Sequence, residues 1–290
     1  MQLFEYAVVN GIVFGLFYGF IGIGLNLLFG VMRLVNLAHG DLIVFGGYLA
    51  YTLSANAHVN PLWAIPLSIP LSLLFGFILY QLVVPRLKHS ADTETTSLIV
   101  FFGVSQVLEA AATMIYGANQ VTLPLFGGPI NLLGQGYPAS EIVSAGLAVP
   151  ALGVLYLYLY RTRLGLATRA VMADEFEAVS SGVRVRHVTT WAFMIGIAYA
   201  AAAGALNMYM MGGINSSSGS SITVTAFTVI IIGSLGNPLG TAVGGLLVGL
   251  VSSLTAAYAT EWTQMVPYAL LLVVVLVRPT GLFGTKVRSA

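Results

Sequence analysis

Residues 6–28, 62–84, 95–116, 141–160, 188–211 and 241–258 form apolar runs of a length that few soluble folds contain. A helix needs about 20 apolar residues to cross the roughly 30 Å of hydrocarbon in a bilayer, so each run predicts a spanning helix. A seventh run, 266–277, is shorter and stops at Arg278. An aqueous fold could not hide this much apolar surface. Hydrophobic residues make up 58% of the chain and charged residues 7%, at a mean hydropathy of +0.91, whereas soluble domains carry roughly 25% charged residues. No linker, charge run or low-complexity stretch divides the chain, which predicts one transmembrane domain over residues 1–290.

The basic residues set the orientation. Ten of the 11 Lys and Arg fall in three islands: Arg86 and Lys88; Arg161, Arg163, Arg169, Arg184 and Arg186; and Arg278, Lys286 and Arg288. Cytoplasmic loops keep basic residues and translocated loops do not. With the N-terminus outside, and with two shorter runs at 41–55 and 222–236 counted as crossings, all three islands share the cytoplasmic side. The opposite loops, 54–61, 117–140, 212–221 and 259–265, contain no Lys or Arg. The expected fold is an all-α polytopic membrane protein with about eight to nine transmembrane segments, two of them short or broken, and a cytoplasmic C-terminus. Residues 1–10 hold Glu5 and no basic residue, unlike the positive start of a cleaved signal peptide, so the first run is expected to stay as a spanning helix.

A net charge of +1 gives no basic face for nucleic acid. Without cysteine there is no disulfide framework, thiolate metal site or thiol nucleophile. No His-Glu-x-x-His, Ser/His/Asp or carboxylate pair at useful spacing points to an enzyme, and no metal or cofactor is expected.

The runs 41–55 and 222–236 reach only about 22 Å at 1.5 Å per residue. Each adjoins a polar, glycine-containing break: Arg33-Leu-Val-Asn-Leu-Ala-His-Gly-Asp41 and Gly233-Ser-Leu-Gly-Asn-Pro-Leu-Gly240. Transporters built from two related halves place their pathway at such paired, interrupted helices, because irregular backbone at membrane depth must line a cavity or be buried in protein. Asn36, His39, Gly40, Asp41, Gly233, Ser234, Gly236 and Asn237 are therefore candidates for the pathway lining. With equal weight, both breaks are ordinary cytoplasmic turns, with Asp41 an N-cap and Asn237-Pro238 a turn. Glu109 is an acid inside a predicted span, where charge marks a function or a buried partner; a place near the outer interface or a protonated carboxyl group accounts for it equally. Asn26 and Asn207 are expected to make interhelical hydrogen bonds. Glycines four apart, at Gly11, Gly15 and Gly19 and at Gly236, Gly240 and Gly244, with Gly245 and Gly249 alongside, predict close helix contacts, within the chain in preference to a dimer seam.

Residues 161–187 are the only long polar stretch. Asp174 followed by Glu177 resembles a capping box, and Gly182 suits a helix C-terminus, which defines a helix of about two turns. Phe176 and Val179, three apart, share a face that needs cover from a cytoplasmic partner, the lipid surface or the chain's own bundle.

The string Gly30-Val-Met-Arg-Leu-Val-Asn-Leu-Ala-His-Gly-Asp41 resembles the signature of permease subunits, of the H type, from branched-chain amino acid ABC importers. Leu164-Gly165 through Gly182-Val183, Gly204, Ala226-Phe227 leading to Gly233-Ser-Leu-Gly236, and Arg278-Pro-Thr-Gly-Leu-Phe-Gly284 extend the likeness over nearly the whole chain. The resemblance implies a bacterial inner-membrane subunit that pairs with a homologous M-type permease, two cytoplasmic ATPase subunits and an extracytoplasmic solute-binding protein. It implies that Asp174, Phe176, Glu177, Ala178 and Gly182 form the ATPase-coupling element, with Val179-Ser-Ser181 departing from the usual Ala-rich form. The implied solute is a branched-chain amino acid or a related small polar molecule such as urea, an amide, or an aromatic or organic acid. The competing class is an ion-coupled secondary transporter or channel, for which only Asp41 and Glu109 offer intramembrane acids.

Overall fold

A computed structural model describes residues 2–87, 90, 92–124, 127–132 and 134–284. Lys88, Lys286 and Arg288 of the basic islands lie outside them. The long helices follow the apolar runs: α1 (Gln2–Met32), α3 (Ala64–Leu87), α4 (Thr93–Tyr116), α5 (Ala139–Arg161), α8 (Val185–Met210), α10 (Pro238–Tyr258) and α11 (Val266–Val277). Counting the turns that lead into α3 and α11, seven helical segments among the described residues are long and apolar enough to cross a membrane. The two shorter segments are α2 (His39–Ala57) and α9 (Ser218–Gly233).

Both short helices begin before the expected points. α2 has 19 residues rather than the 15 expected, and its rise of about 28 Å nearly matches the hydrocarbon core. α9 starts four residues earlier than its apolar run, because Ser218 to Ser221 are polar yet helical; the Ser218 hydroxyl donates to Asn215 Oδ1 at 2.8 Å. The polar stretch 161–187 is mostly helix. α6 (Arg163–Ala173), which apolar runs cannot reveal, precedes α7 (Glu175–Ser180). The loop 117–140 contains an antiparallel hairpin of β1 (Pro129–Leu132) and β2 (Gln135–Pro138), paired from Pro129↔Pro138 to Leu132↔Gln135.

Contacts gather the chain into two compact units. One falls within Met1–Asn26, Pro124–Leu152 and Val224–Ala290. Here the glycine series pack backbone on backbone. A Cβ on Gly11 or Gly15 would lie 2.8 or 2.7 Å from the Cα of Leu250 or Leu246, and one on Gly245 or Gly249 would strike the backbone of Gly19 or Gly15. Gly240 meets Gly233 in the same way, and Gly244 meets the carbonyl of Val229. The expected contacts within the chain are therefore α1 on α10 and α9 on α10. Val229, Ile232 and Val248 form a core flanked by Leu270, Val274 and Leu282. Tyr137 of β2 stacks on Tyr6 with centroids 5.0 Å apart.

The other unit falls within Leu27–Leu123 and Gly153–Thr223. α2 and α3 both pack on α8. Gly46 lies on the carbonyl of Ala201, Gly204 on that of Ile43, and Gly76 on Met194. The Tyr80 and Thr189 hydroxyls share a hydrogen bond of 2.7 Å. Asn207 departs from expectation: it is fully buried, and neither its amide oxygen nor its nitrogen has a hydrogen-bond partner among the described residues. It sits on α8 amid a long run of buried, mostly apolar side chains.

Candidate functional site: a polar junction at the start of two helices

The break after α1 opens at Arg33, whose φ of 52° turns the chain out of the helix while its N–H still donates to Phe29 O at 2.8 Å. Asn36 folds the next turn upon itself: its Oδ1 accepts from Ala38 N–H at 3.1 Å, and its carbonyl accepts from His39 N–H at 3.4 Å. Val35 N–H donates to the Ser97 hydroxyl of α4 at 3.1 Å. The N-cap of α2 is Ala38, with no side-chain cap. Asp41 is thus not the N-cap that the ordinary-turn alternative required; it lies in the first turn, and its side chain points elsewhere.

That side chain is the centre of the site. Asp41 is 3% exposed, and its Oδ2 accepts a hydrogen bond from the Ser105 hydroxyl at 2.5 Å. Ser105 lies at about the middle of the 24-residue α4, so the carboxyl group sits well away from either end of that span. The N-terminal turn of α9 closes the other side. A Cβ on Gly219 would collide with the Asp41 carboxyl group, and one on Gly40 would collide with the Gly219 carbonyl. Gly40 N–H donates to the Thr223 hydroxyl at 2.8 Å, and that hydroxyl donates to Leu37 O at 3.1 Å.

Two helices therefore begin at one carboxyl group. Helix N-termini carry positive partial charge from unsatisfied N–H groups, which offsets part of the cost of an acid at membrane depth. His39 and Asn36 are buried in the same turn, and Asn36 Nδ2 has no hydrogen-bond partner among the described residues. Ser105, Gly219 and Thr223 escaped the sequence reading. Gly219 and Thr223 have one signal, the polar start of α9, which the hydropathy ruler discards; Ser105, in the middle of α4, has none. Glu109, one turn beyond Ser105 on α4, is half-buried beside a shallow groove with Gln106 and Thr113.

The second break is a well-capped turn. Ser234 and Gly236 have φ of 88° and 81°. Asn237 caps α10, its Oδ1 accepting from Gly240 N–H at 3.0 Å. Asn26 bridges the turn to the helix as expected of an interhelical group: its Oδ1 accepts from Gly236 N–H and its Nδ2 donates to Thr241 Oγ1, both at 2.5 Å. Gly233, Ser234, Gly236 and Asn237 thus belong to the first unit, whereas Asn36, His39, Gly40 and Asp41 belong to the second.

The polar stretch supplies a separate surface. Asp174 caps α7 by accepting from Glu177 N–H at 2.9 Å, and Gly182, at a φ of 81°, ends the motif. Ala178 is buried, while Phe176 and Val179 are 81% and 56% exposed. Outside the spans, Asp92 caps α4, and hydrogen bonds from Thr95 hold its carboxyl group below the usual range.

Comparison with known proteins gives this arrangement a context. The high-affinity branched-chain amino acid transport system permease protein LivH of Salmonella typhimurium is 29% identical, over 95% of this chain and 94% of its own length. The corresponding permease BraD of Pseudomonas aeruginosa is 27% identical over 96% and 94%. LivM of Salmonella typhimurium is 25% identical over 91% of this chain and 67% of its own length. Among solved structures, PsaBC from Streptococcus pneumoniae shares the fold with a TM-score of 0.50 at 12% identity, covering 93% of this chain and 91% of that one. A family model described as branched-chain amino acid transport system / permease component matches residues 7–275, and this chain belongs to that family of multi-pass membrane permeases.

Proposed function

We propose that this chain forms part of the transmembrane pathway of an ATP-driven importer of branched-chain amino acids or related small polar solutes. Its partners in that role are a homologous M-type permease, two cytoplasmic ATPase subunits and an extracytoplasmic solute-binding protein, in a bacterial inner membrane. The likeness to both LivH and LivM supports pairing of related subunits. Family membership favours this role over an ion-coupled carrier.

The observation that carries the proposal is the exposed apolar face of α7. A helix of six residues has too few internal hydrogen bonds to persist by itself. Here it is fixed at its start by Asp174 and at its end by Gly182, yet it leaves Phe176 outside. A rigid helix presenting an aromatic anchor suits insertion into a cleft of another protein. In the proposed cycle the ATPases push on Phe176, Glu177 and Val179. The force passes through buried Ala178 and reaches the membrane helices through the contact of α6 with α8.

The helix starts around Asp41 supply the polar part of the pathway, with Asn36, His39 and Gly40 in the same turn. The test is uptake and ATP hydrolysis by the assembled transporter in vesicles. Gly182→Arg and Glu177→Arg should leave assembly intact and lower uptake per ATP hydrolysed about ten-fold, equivalent to roughly 1.4 kcal/mol of lost coupling. Wild-type uptake in both variants would remove the coupling role.

A further inference from the structure

Within the second unit, a cavity of about 380 Å³ lies among α2, α3, α4 and α8. Leu42, Phe45 and Leu49 line it along α2 as far as Thr52, a distance of about 15 Å at 1.5 Å per residue. The cavity is thus a slot parallel to the helices. Its mouth lies on α3, where Leu71 is 59% and Phe75 37% exposed. We propose that this slot binds one acyl chain of a membrane phospholipid.

The chemistry of the wall selects that occupant. Four hydroxyl groups border the slot, and each is already engaged. Thr52 donates to Tyr48 O at 2.8 Å and shares a hydrogen bond with Tyr116 at 3.0 Å; Ser68 donates to Ile65 O at 2.9 Å, and Ser72 to Ser68 O at 2.5 Å. With the hydroxyl protons committed in this way, a zwitterionic amino acid would have to bury its carboxylate here without a side-chain donor, which is costly. An alkyl chain needs none. Water is also a poor filler, because apolar cavities stay dry, while an empty slot forfeits the dispersion contacts of its whole lining. In a bilayer the apolar fluid at the mouth is acyl chain, already running along the direction of the slot. This site is independent of the proposed solute pathway: Asp41 and its partners do not line it.

The test uses the full-length chain, with its co-purifying subunits, in phosphatidylethanolamine and phosphatidylglycerol vesicles containing a phospholipid with a photoreactive diazirine in mid-chain. After illumination, adducts are mapped by peptide mass spectrometry. Adducts are expected on the inward-facing Phe45 and Leu49 as well as on exposed Leu272 of α11, and not on fully buried Ile43. Ser72→Phe, which fills the slot, should abolish the Phe45 and Leu49 adducts and leave those on Leu272. Leu71→Trp, which blocks the mouth from an exposed position and so spares folding, should do the same. Three outcomes overturn the proposal: adducts confined to Leu71, Phe75 and α11; Phe45 and Leu49 adducts that survive both variants; or adducts displaced by saturating leucine, which would make the slot a solute site.

Discussion

Asp41 carries more of the site's chemistry than any other side chain. It is buried at the depth of Ser105, contacted by a hydroxyl group on one side and by the backbone of Gly219 on the other. An amide would keep the hydrogen bond from Ser105 while removing the ionisable group. Asp41→Asn is therefore expected to assemble normally and to lower uptake by about ten-fold, as a hydrogen bond to a charged group, worth roughly 1.5–3 kcal/mol, becomes a neutral one worth about 0.5–1.5 kcal/mol. Uptake assays beside a thermal unfolding curve separate the two effects; a variant that transports at the wild-type rate would show that the carboxylate serves packing alone. The acid was legible in the sequence as a charge beside a short helix. Its partners were not, since Ser105 lies 64 residues away and nothing local to either residue encodes their meeting.

At the scale of elements, glycine decides how closely the helices approach. Small residues four apart were readable as contact stripes, but not which helix each stripe would meet. Gly236, Gly240 and Gly244 are evenly spaced in sequence, yet Gly240 and Gly244 face α9 while Gly236 forms a turn with positive φ. Gly249 lies on the backbone of Gly15, whereas a Cβ on Gly103 of α4 would meet nothing within 4 Å. Gly249→Leu should force α1 and α10 apart and destabilise the protein by about 1–3 kcal/mol or more through overpacking. Gly103→Leu should leave it as stable as the parent or slightly more so. Unfolding in increasing SDS gives the comparison; equal loss in both variants would refute the α1–α10 contact. Elements also explain the misplaced starts of α2 and α9. Each begins in a polar turn that only the neighbouring helix makes tolerable at depth, so a hydropathy rule cuts both helices short. α6 was missed for the converse reason, because a short helix bearing two arginines reads as loop when apolar length is the measure.

The whole molecule has a predicted sidedness that its composition makes easy to test. The chain contains no cysteine, so a single introduced thiol reports its own location. Ser181 and Thr260 are both exposed at opposite expected faces. With intact cells and a membrane-impermeant maleimide, Thr260→Cys should label and Ser181→Cys should label only after the membrane is opened. The reverse pattern would invert the orientation and place α7 out of reach of any cytoplasmic ATPase.

Hydropathy and charge are properties of consecutive residues, so the sequence by itself determined the positions and approximate limits of the long apolar helices, the basic islands and the capped helix at Asp174. Each depends on a window no longer than one helix and on the cost of placing polar groups in hydrocarbon. Only the tertiary structure decided that Asp41 meets Ser105 and Gly219, that Asn26 secures the turn before α10, that the Asn207 side chain lies buried without a hydrogen-bond partner among the described residues, and that α2, α3, α4 and α8 leave an apolar slot. These features depend on which helix faces come together, and in lipid that choice rests on close packing and a few hydrogen bonds between distant residues, which no local pattern records.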